Sequence, residues 1–375
     1  MHRYFPYFLV CSLVLIIGCK KDNTPKGPFI LVQDIKRYTI YQQYDYSSIS
    51  SPTSDSCIVI ALACLDQTLQ VIKLDQNLNL VWEVNINEDF SRIGNIIEST
   101  DNEYLIISTP KGESIAGWPK LIKISKSGHV IWKKEYLKSA SNVFYGSSIN
   151  QIADGNFILT SAILWDSLML IKVNSDGDSI WSREYHVPDA SFGFSKSYID
   201  PFGLFIYTNG QKIIGFDSDG KILWQTPYYN LDVFTSLNYS TNSGFFVTGY
   251  NRYLQGKYYT NKILLAYYSD TGIRKWVNTY QIGSVSHGTS LCITNSEGIY
   301  ILGTSTFQNN GYETLIIKTD QSGEELFNAT IEGLTIPNSG VSIMKESTGF
   351  IVYGFEKPGN GNASQFYLTK FVEIN

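Results

Sequence analysis

The chain has 375 residues, 43% of them hydrophobic and 17% charged, with a net charge of −5. That length supports a large buried core, and mild acidity without a basic cluster argues against a nucleic-acid partner. The 26 Tyr, 20 Phe, 7 Trp and 30 Gly favour strands and turns over helices.

Residues 1–18, MHRYFPYFLVCSLVLIIG, read as a secretory signal: a short basic start (His2, Arg3) and an apolar run from Phe8 to Ile17. That run is about half of the ~20 residues a spanning helix needs. Its end, Ile16-Ile17-Gly18-Cys19, resembles the bacterial lipobox. The resemblance implies cleavage before Cys19 and attachment of diacylglycerol and palmitate-type chains to that residue. Residues 19–34 then form the lipidated Cys and a polar, Pro- and Gly-containing tether. Lys20, Lys21 and Asp22 behind Cys19 resemble the start of Bacteroidota lipoproteins. This implies a lipid-anchored envelope protein, at the outer membrane, on either the cell surface or the periplasmic leaflet. Cys57, Cys64 and Cys292 read as buried thiols rather than a disulfide framework.

From residue 35 to the end the sequence repeats. IKLDQNLNLVWEVNI (72–86), IKISKSGHVIWKKEY (122–136), IKVNSDGDSIWSREY (171–185), IIGFDSDGKILWQTPY (213–228), LLAYYSDTGIRKWVNTY (264–280) and IIKTDQSGEELFNATI (316–331) share an apolar strand, a turn and an aromatic. The aromatics are Trp82, Trp132, Trp181, Trp224, Trp276 and Phe327, spaced by 50, 49, 43, 52 and 51 residues. A second signature precedes the later hairpins, as in ADGNFILTS (153–161), NSGFFVTG (242–249) and SEGIYILG (296–303). Each unit is therefore four antiparallel strands, a to d, which is the unit of a β-propeller blade.

Six aromatics give six complete c–d hairpins. A seventh unit begins near residue 340 and stops after its strand c, FYLTKFVEIN, at the C-terminus. The segment 35–46, IKRYTIYQQYDY, aligns with SGHVIWKKEYLK (127–138) and supplies the missing strand d. The expectation is an all-β, single seven-bladed propeller over 35–375, its N-terminal strand closing the last blade; six blades is the alternative. The anchor aromatics are expected to wedge between neighbouring blades.

The pattern IKxxxxGxxxW resembles the tryptophan-docking repeat of PQQ-like, quinoprotein-type propellers, across about residues 35–375. The resemblance implies fold; propellers host many activities. The quinone cofactor of that family is not carried over, because there is no adjacent Cys pair. NSDGDSIW (174–181) differs from the sialidase Asp box in its spacing. The four His (His2, His129, His186, His287) lack metal-ligand spacing, and no GxSxG or Walker loop occurs. No catalytic residue, cofactor or metal is assigned. Asp166-Ser167-Leu168 and Asp178-Ser179-Ile180 resemble the Bacteroidota O-glycosylation acceptor, but chance is the favoured explanation beside strands.

The short a–b and c–d turns share one face of the disc, and the longer b–c and d–a loops share the other. The loop face collects Trp118, Trp165, Tyr250, Arg252, Tyr253, Tyr258, Tyr259, Phe307 and Tyr312, with His287 nearby. Aromatics with Arg, Asn and Gln suit protein interfaces or sugar stacking. The leading expectation is a non-catalytic module binding a protein or glycan through this face. The second is a scaffold subunit of an outer-membrane assembly or transport complex, by analogy with an eight-bladed docking-repeat lipoprotein. A polysaccharide-acting or quinoprotein-like enzyme comes third.

Overall fold

The structure is a computed structural model. It describes residues 14–15, 30–39, 48–63, 68–87, 90–110, 118–136, 144–163, 167–187, 196–199, 203, 205–208, 210–229, 231–240, 244–255, 258–294, 298–307, 311–346, 349–357 and 365–373. These form seven antiparallel sheets, each a blade with strands in the order a, b, c, d. Blades 1 to 6 span residues 48–87, 90–135, 144–186, 196–225, 232–280 and 285–330. Blade 7 takes strands a to c from residues 338–373 and its strand d from Ile30–Thr39. The fold is thus the expected seven-bladed propeller, closed by its N-terminal strand. Val14–Leu15, inside the segment read as a signal, pairs outside Ile30–Thr39 as a fifth strand. Cys19 lies outside the described residues.

The closing strand differs in register from the sequence alignment. That alignment put Ile40 at the anchor position; the pairing Val32↔Phe371 and Ile35↔Thr369 puts Gln33 and Asp34 opposite Lys370 instead. In blade 1 the residue opposite the matching Lys73 is Trp82. The offset is six residues, from 40 to 34. Because side chains alternate with period two, an even slip leaves the same side chains facing the core, so periodicity alone could not exclude it.

The anchors do lie between blades. A Cβ on Gly177, in the c–d turn of blade 3, would lie 2.6 Å from Cη2 of Trp132 in blade 2. The same ring-on-glycine contact joins Trp82 to Gly128, Trp181 to Gly220, Trp224 to Gly272 and Trp276 to Gly323. Each time the ring of one blade covers the turn of the next. Gly177 has φ +78°, which also suits the turn. At the seam between blades 7 and 1 there is no anchor tryptophan, and Leu78, with φ +61° and 3% exposure, occupies the turn.

A tyrosine four residues beyond the anchor adds a hydrogen bond that sequence reading missed. Tyr136 donates to the carbonyl of Gly177 (2.8 Å) and Tyr280 to that of Gly323 (2.7 Å). Tyr185 donates to Gly220 in the same way. Tyr38 donates to Leu78 (3.2 Å), four residues after Asp34, which agrees with the observed register.

The Lys that recurs in strand c of blades 1 to 3 is buried and ion-paired within its blade. Lys73 meets Asp55 (2.6 Å), Lys123 meets Asp101 (3.0 Å) and Glu103 (2.6 Å), and Lys172 meets Asp154 (2.8 Å). Burial works against the Asp101 carboxylate. Hydrogen bonds from Ser99 and Lys123, with the Lys123 charge, outweigh it and hold the pKa at about 2.

Candidate binding face

The turn face is largely satisfied by itself. In 174–178 the Asn174 Oδ1 accepts from the amides of Asp176 (3.0 Å) and Asp178 (2.7 Å), and Asp178 pairs with Lys134 of blade 2 (2.6 Å). Asp75, Asp217 and Asp320 cap their turns through the same two amide positions. The Asp-Gly run is therefore a turn that closes on its own backbone. Among the described residues no group of three or more His, Cys, Asp or Glu is placed to hold a metal ion.

Inner strands are tied to one another by hydroxyls and amides. Asn95 exchanges hydrogen bonds with the Ile149 backbone (2.7 and 3.1 Å), Asn150 donates to Ser197 (2.6 Å), and Thr235 donates to the Gly288 carbonyl (2.8 Å). Each crosses from one blade to the next, so these neutral groups stitch the wall of the ring.

The loop face departs from this regularity at blade 5. Its strands b and c, Gly244–Gln255 and Tyr258–Ser269, have 12 residues each, against 4 in the corresponding strands of blade 4. The segment 250–262, read from sequence as a loop, instead continues both strands over 250–255 and 258–262, with Gln255 paired to Tyr258. Its tyrosines, Thr and Leu suit extended pairing, which explains the difference.

Within this hairpin the residues separate into packed and presented groups. Tyr250 is buried (6% exposed), unlike the exposed aromatic expected, and meets the His287 ring edge-on at 4.8 Å. His287 Nε2 lies 2.5 Å from Asn261 Nδ2. Burial, and then the Arg252 charge, push the His287 imidazole below its ordinary value, so it is neutral at pH 7. Arg252 is exposed; its guanidinium lies 5.6 Å from the Tyr250 ring centre and donates to the Tyr250 hydroxyl (3.3 Å). Tyr253 donates to Gln281 (2.6 Å) and carries Lys262 over its ring at 4.4 Å. Leu254, not singled out from sequence, is 62% exposed.

The other expected residues are scattered around the face. Trp118 is half-buried against the core between blades 2 and 3. Phe307 is half-buried in blade 6, and Tyr312 is 51% exposed at the start of its strand c. Tyr258 and Tyr259 pair by backbone with Gln255 and Leu254. Trp165 lies outside the described residues.

No protein-family model matches the sequence, and no curated protein matches it. Solved structures do. A protein of unknown function from Bacteroides caccae is 11% identical, with a TM-score of 0.47, over 77% of this chain and 95% of its own. The WD40 domain of Neurospora crassa Pan2 is 11% identical, with a TM-score of 0.53, over 88% of this chain and 90% of its own. At that identity the likeness to the WD40 domain is one of fold, and the chain is a β-propeller, a fold commonly used as a binding or scaffold module.

Proposed function

We propose that this chain is a lipid-anchored envelope propeller that binds a macromolecule, protein or glycan, through its loop face without catalysing a reaction on it. The observation that carries the reading is the contrast between the two faces. The turn face spends its polar groups on caps and ion pairs, whereas blade 5 raises a hairpin with Arg252 and Leu254 presented to solvent. The neutral hydroxyls and amides that stitch the inner strands support binding over acid–base chemistry. The tryptophan-on-glycine contacts support the likeness to docking-repeat propellers at the level of fold.

The lipid anchor rests on the lipobox-like run ending at Cys19. Ile30 pairs with Glu373, at the end of strand c that leads into the turn face in the other blades. An anchor at Cys19 therefore draws the turn face toward the membrane and leaves the loop face accessible. Mass spectrometry of the mature N-terminal peptide tests this: acylated Cys19 is expected, and a Cys19→Ser protein partitioning like the parent overturns it. For the binding reading, crosslinking in intact envelopes from Tyr312 and Leu254 is run beside a glycan array. One stable outer-membrane partner identifies a scaffold subunit, a glycan signal lost on loop-face substitution identifies a carbohydrate binder, and turnover of a polysaccharide overturns the non-catalytic reading.

A further inference from the structure

We infer that the seam between blades 7 and 1 holds a pocket for one aromatic ring, the side chain of a phenylalanine presented by a partner protein. The site lies on the turn face, away from the loop face, and does not depend on the reading given above. Its first ground is what the other seams contain. Between blades 1 and 2, Trp82 of strand d meets Tyr104 at the start of strand b, ring centres 5.9 Å apart. Trp224 and Phe245 stack at 6.0 Å between blades 4 and 5. Trp132 with Phe157, Trp181 with Phe205, and Phe327 with Phe350 share the cores of three further seams. Between blades 5 and 6 strand b starts with Ile299, but Trp276 and Phe246 pack beside it. The seam between blades 7 and 1 has Ile58 at the strand b position and Leu78 in the turn, with no anchor tryptophan. There a pocket of about 260 Å³ opens to the turn face.

The second ground is the lining. Buried Ile58, Met344 and Ile351 form an apolar floor, and the Met344 thioether is polarizable enough to favour a ring. Lys370 holds the place in blade 7 that Lys73 holds in blade 1: one pairs with Ile351 and the other with Val59. Lys73 keeps its ion pair with Asp55 while its Nζ lies 5.6 Å from the centre of the Tyr104 ring. Lys370 is held in the same manner, by Glu346 and by the Gln76 carbonyl (3.3 Å). A ring entering the place matching Tyr104 therefore meets a fixed cation. The space is smaller than the roughly 300–1,000 Å³ of pockets for drug-sized ligands, so it takes a single ring. The apolar floor suits a ring with no polar tip, as Phe157, Phe205 and Phe245 have in the matching position. The polar rim, with Ser56 and Gln76, is placed to meet the main chain that carries the ring.

The test uses the intact chain with isotope-labelled methionine methyls. It has three methionines, Met1, Met169 and Met344. N-acetyl-phenylalaninamide is titrated in and the methyl resonances are followed by NMR. The Met344 methyl is expected to shift upfield under the ring current, while Met169, buried in blade 3, stays in place. N-acetyl-leucinamide is expected to bind about tenfold more weakly, because it has no ring for Lys370 or the Met344 sulfur to contact. Benzyl alcohol, a ring without the main chain, is expected to be weaker by about fivefold or more. Ile58→Phe fills the place from within and is expected to weaken binding at least about tenfold, with a melting temperature at or above the parent's. The inference is overturned if the Met344 resonance does not move, if the leucine amide binds as well as the phenylalanine amide, or if Ile58→Phe binds as the parent does. Benzyl alcohol binding as tightly as the amide would assign the pocket to a free small molecule and overturn the protein side chain. Envelope crosslinks from Tyr312 report on the loop face alone and are unaffected by any of these results.

Discussion

Trp132 of blade 2 lies against Gly177 of blade 3, so close that a Cβ on the glycine would come within 2.6 Å of the ring. The glycine meets two demands at once, a left-handed φ of +78° and the absence of a side chain. Gly155, in the a–b turn of the same blade, meets only the first: its φ is +83° and nothing lies within 4 Å of a Cβ placed there. Gly155→Ala should therefore cost about 1 kcal/mol, the backbone cost alone. Gly177→Ala should cost ~2–4 kcal/mol because overpacking against Trp132 is added. Chemical denaturation of both variants checks this; equal losses would show that the ring yields freely.

The seam between blades 7 and 1 holds a partly open pocket of about 260 Å³, its floor made by Ile58, Met344 and Ile351 and its rim by polar residues that include Gln76, Glu346 and Lys370. Tyr104, Phe157, Phe205 and Phe245 hold the matching first position of strand b in blades 2 to 5, judged by their pairing with strand c. Blade 1 has the smaller Ile58 there. Ile58→Phe should occupy part of the space and raise stability by about 1 kcal/mol, read as an upward shift in thermal midpoint.

The ring was legible in sequence because its repeated parts are backbone demands. Anchor, turn and apolar strand recur at a spacing that allows no other common fold, and the ragged termini required closure. The register of the closing strand was not legible, since Tyr38 and Asp34 acquire meaning only once Leu78 is seen beneath them. The Lys73–Asp55 type of pair escaped for a related reason. Its partners belong to different hairpins, 18 residues apart, and their turns vary in length and letter. The binding face was the least legible. Tyr250 and Tyr253 read alike in a list of aromatics, yet one is buried against His287 and the other carries Lys262. Leu254 gave no signal at all, because an isolated leucine beside tyrosines reads as core until the hairpin is seen to rise beyond the ring.

The buried lysine pairs predict an acid-sensitive step in stability. Asp101 is held at about 2, below the ~3.9 of an unfolded chain. A carboxylate depressed in the folded state contributes stability that is present above its unfolded pKa. That contribution is lost as the pH falls through the folded value. Asp55 is lowered in the same sense: burial opposes it, and hydrogen bonds from Lys73, Thr53 and Cys57 outweigh that opposition. Unfolding free energy should thus decline between about pH 4 and pH 2. Asp101→Asn should be less stable than the parent at pH 6 and show a shallower decline over that window, measured by urea titration at each pH.

Closure itself rests on a clamp. Arg37 of the N-terminal strand reaches the Glu356 carboxylate of strand b in blade 7 at 2.5 Å, and the Glu356 side chain is fully buried. The same guanidinium donates to the Gly333 carbonyl at 2.5 Å, tying the strand to the connection from blade 6. Thr335 donates its amide to the second Glu356 oxygen (2.6 Å). Removing Arg37 would leave a buried carboxylate without its cation, a change that typically costs ~3–5 kcal/mol. Arg37→Met, which keeps the apolar stem, should therefore destabilise the whole ring by about 3 kcal/mol, while Arg37→Met/Glu356→Gln should recover part of the loss. Deleting residues 30–39 removes the strand entirely and leaves strand c of blade 7 as an open edge, so aggregation on mild heating is expected. Calorimetry decides between a closed ring and a looser one. A single transition moved down in both variants is the result closure requires, and a parent-like transition in the deletion would show that blades 1 to 6 hold without the seam.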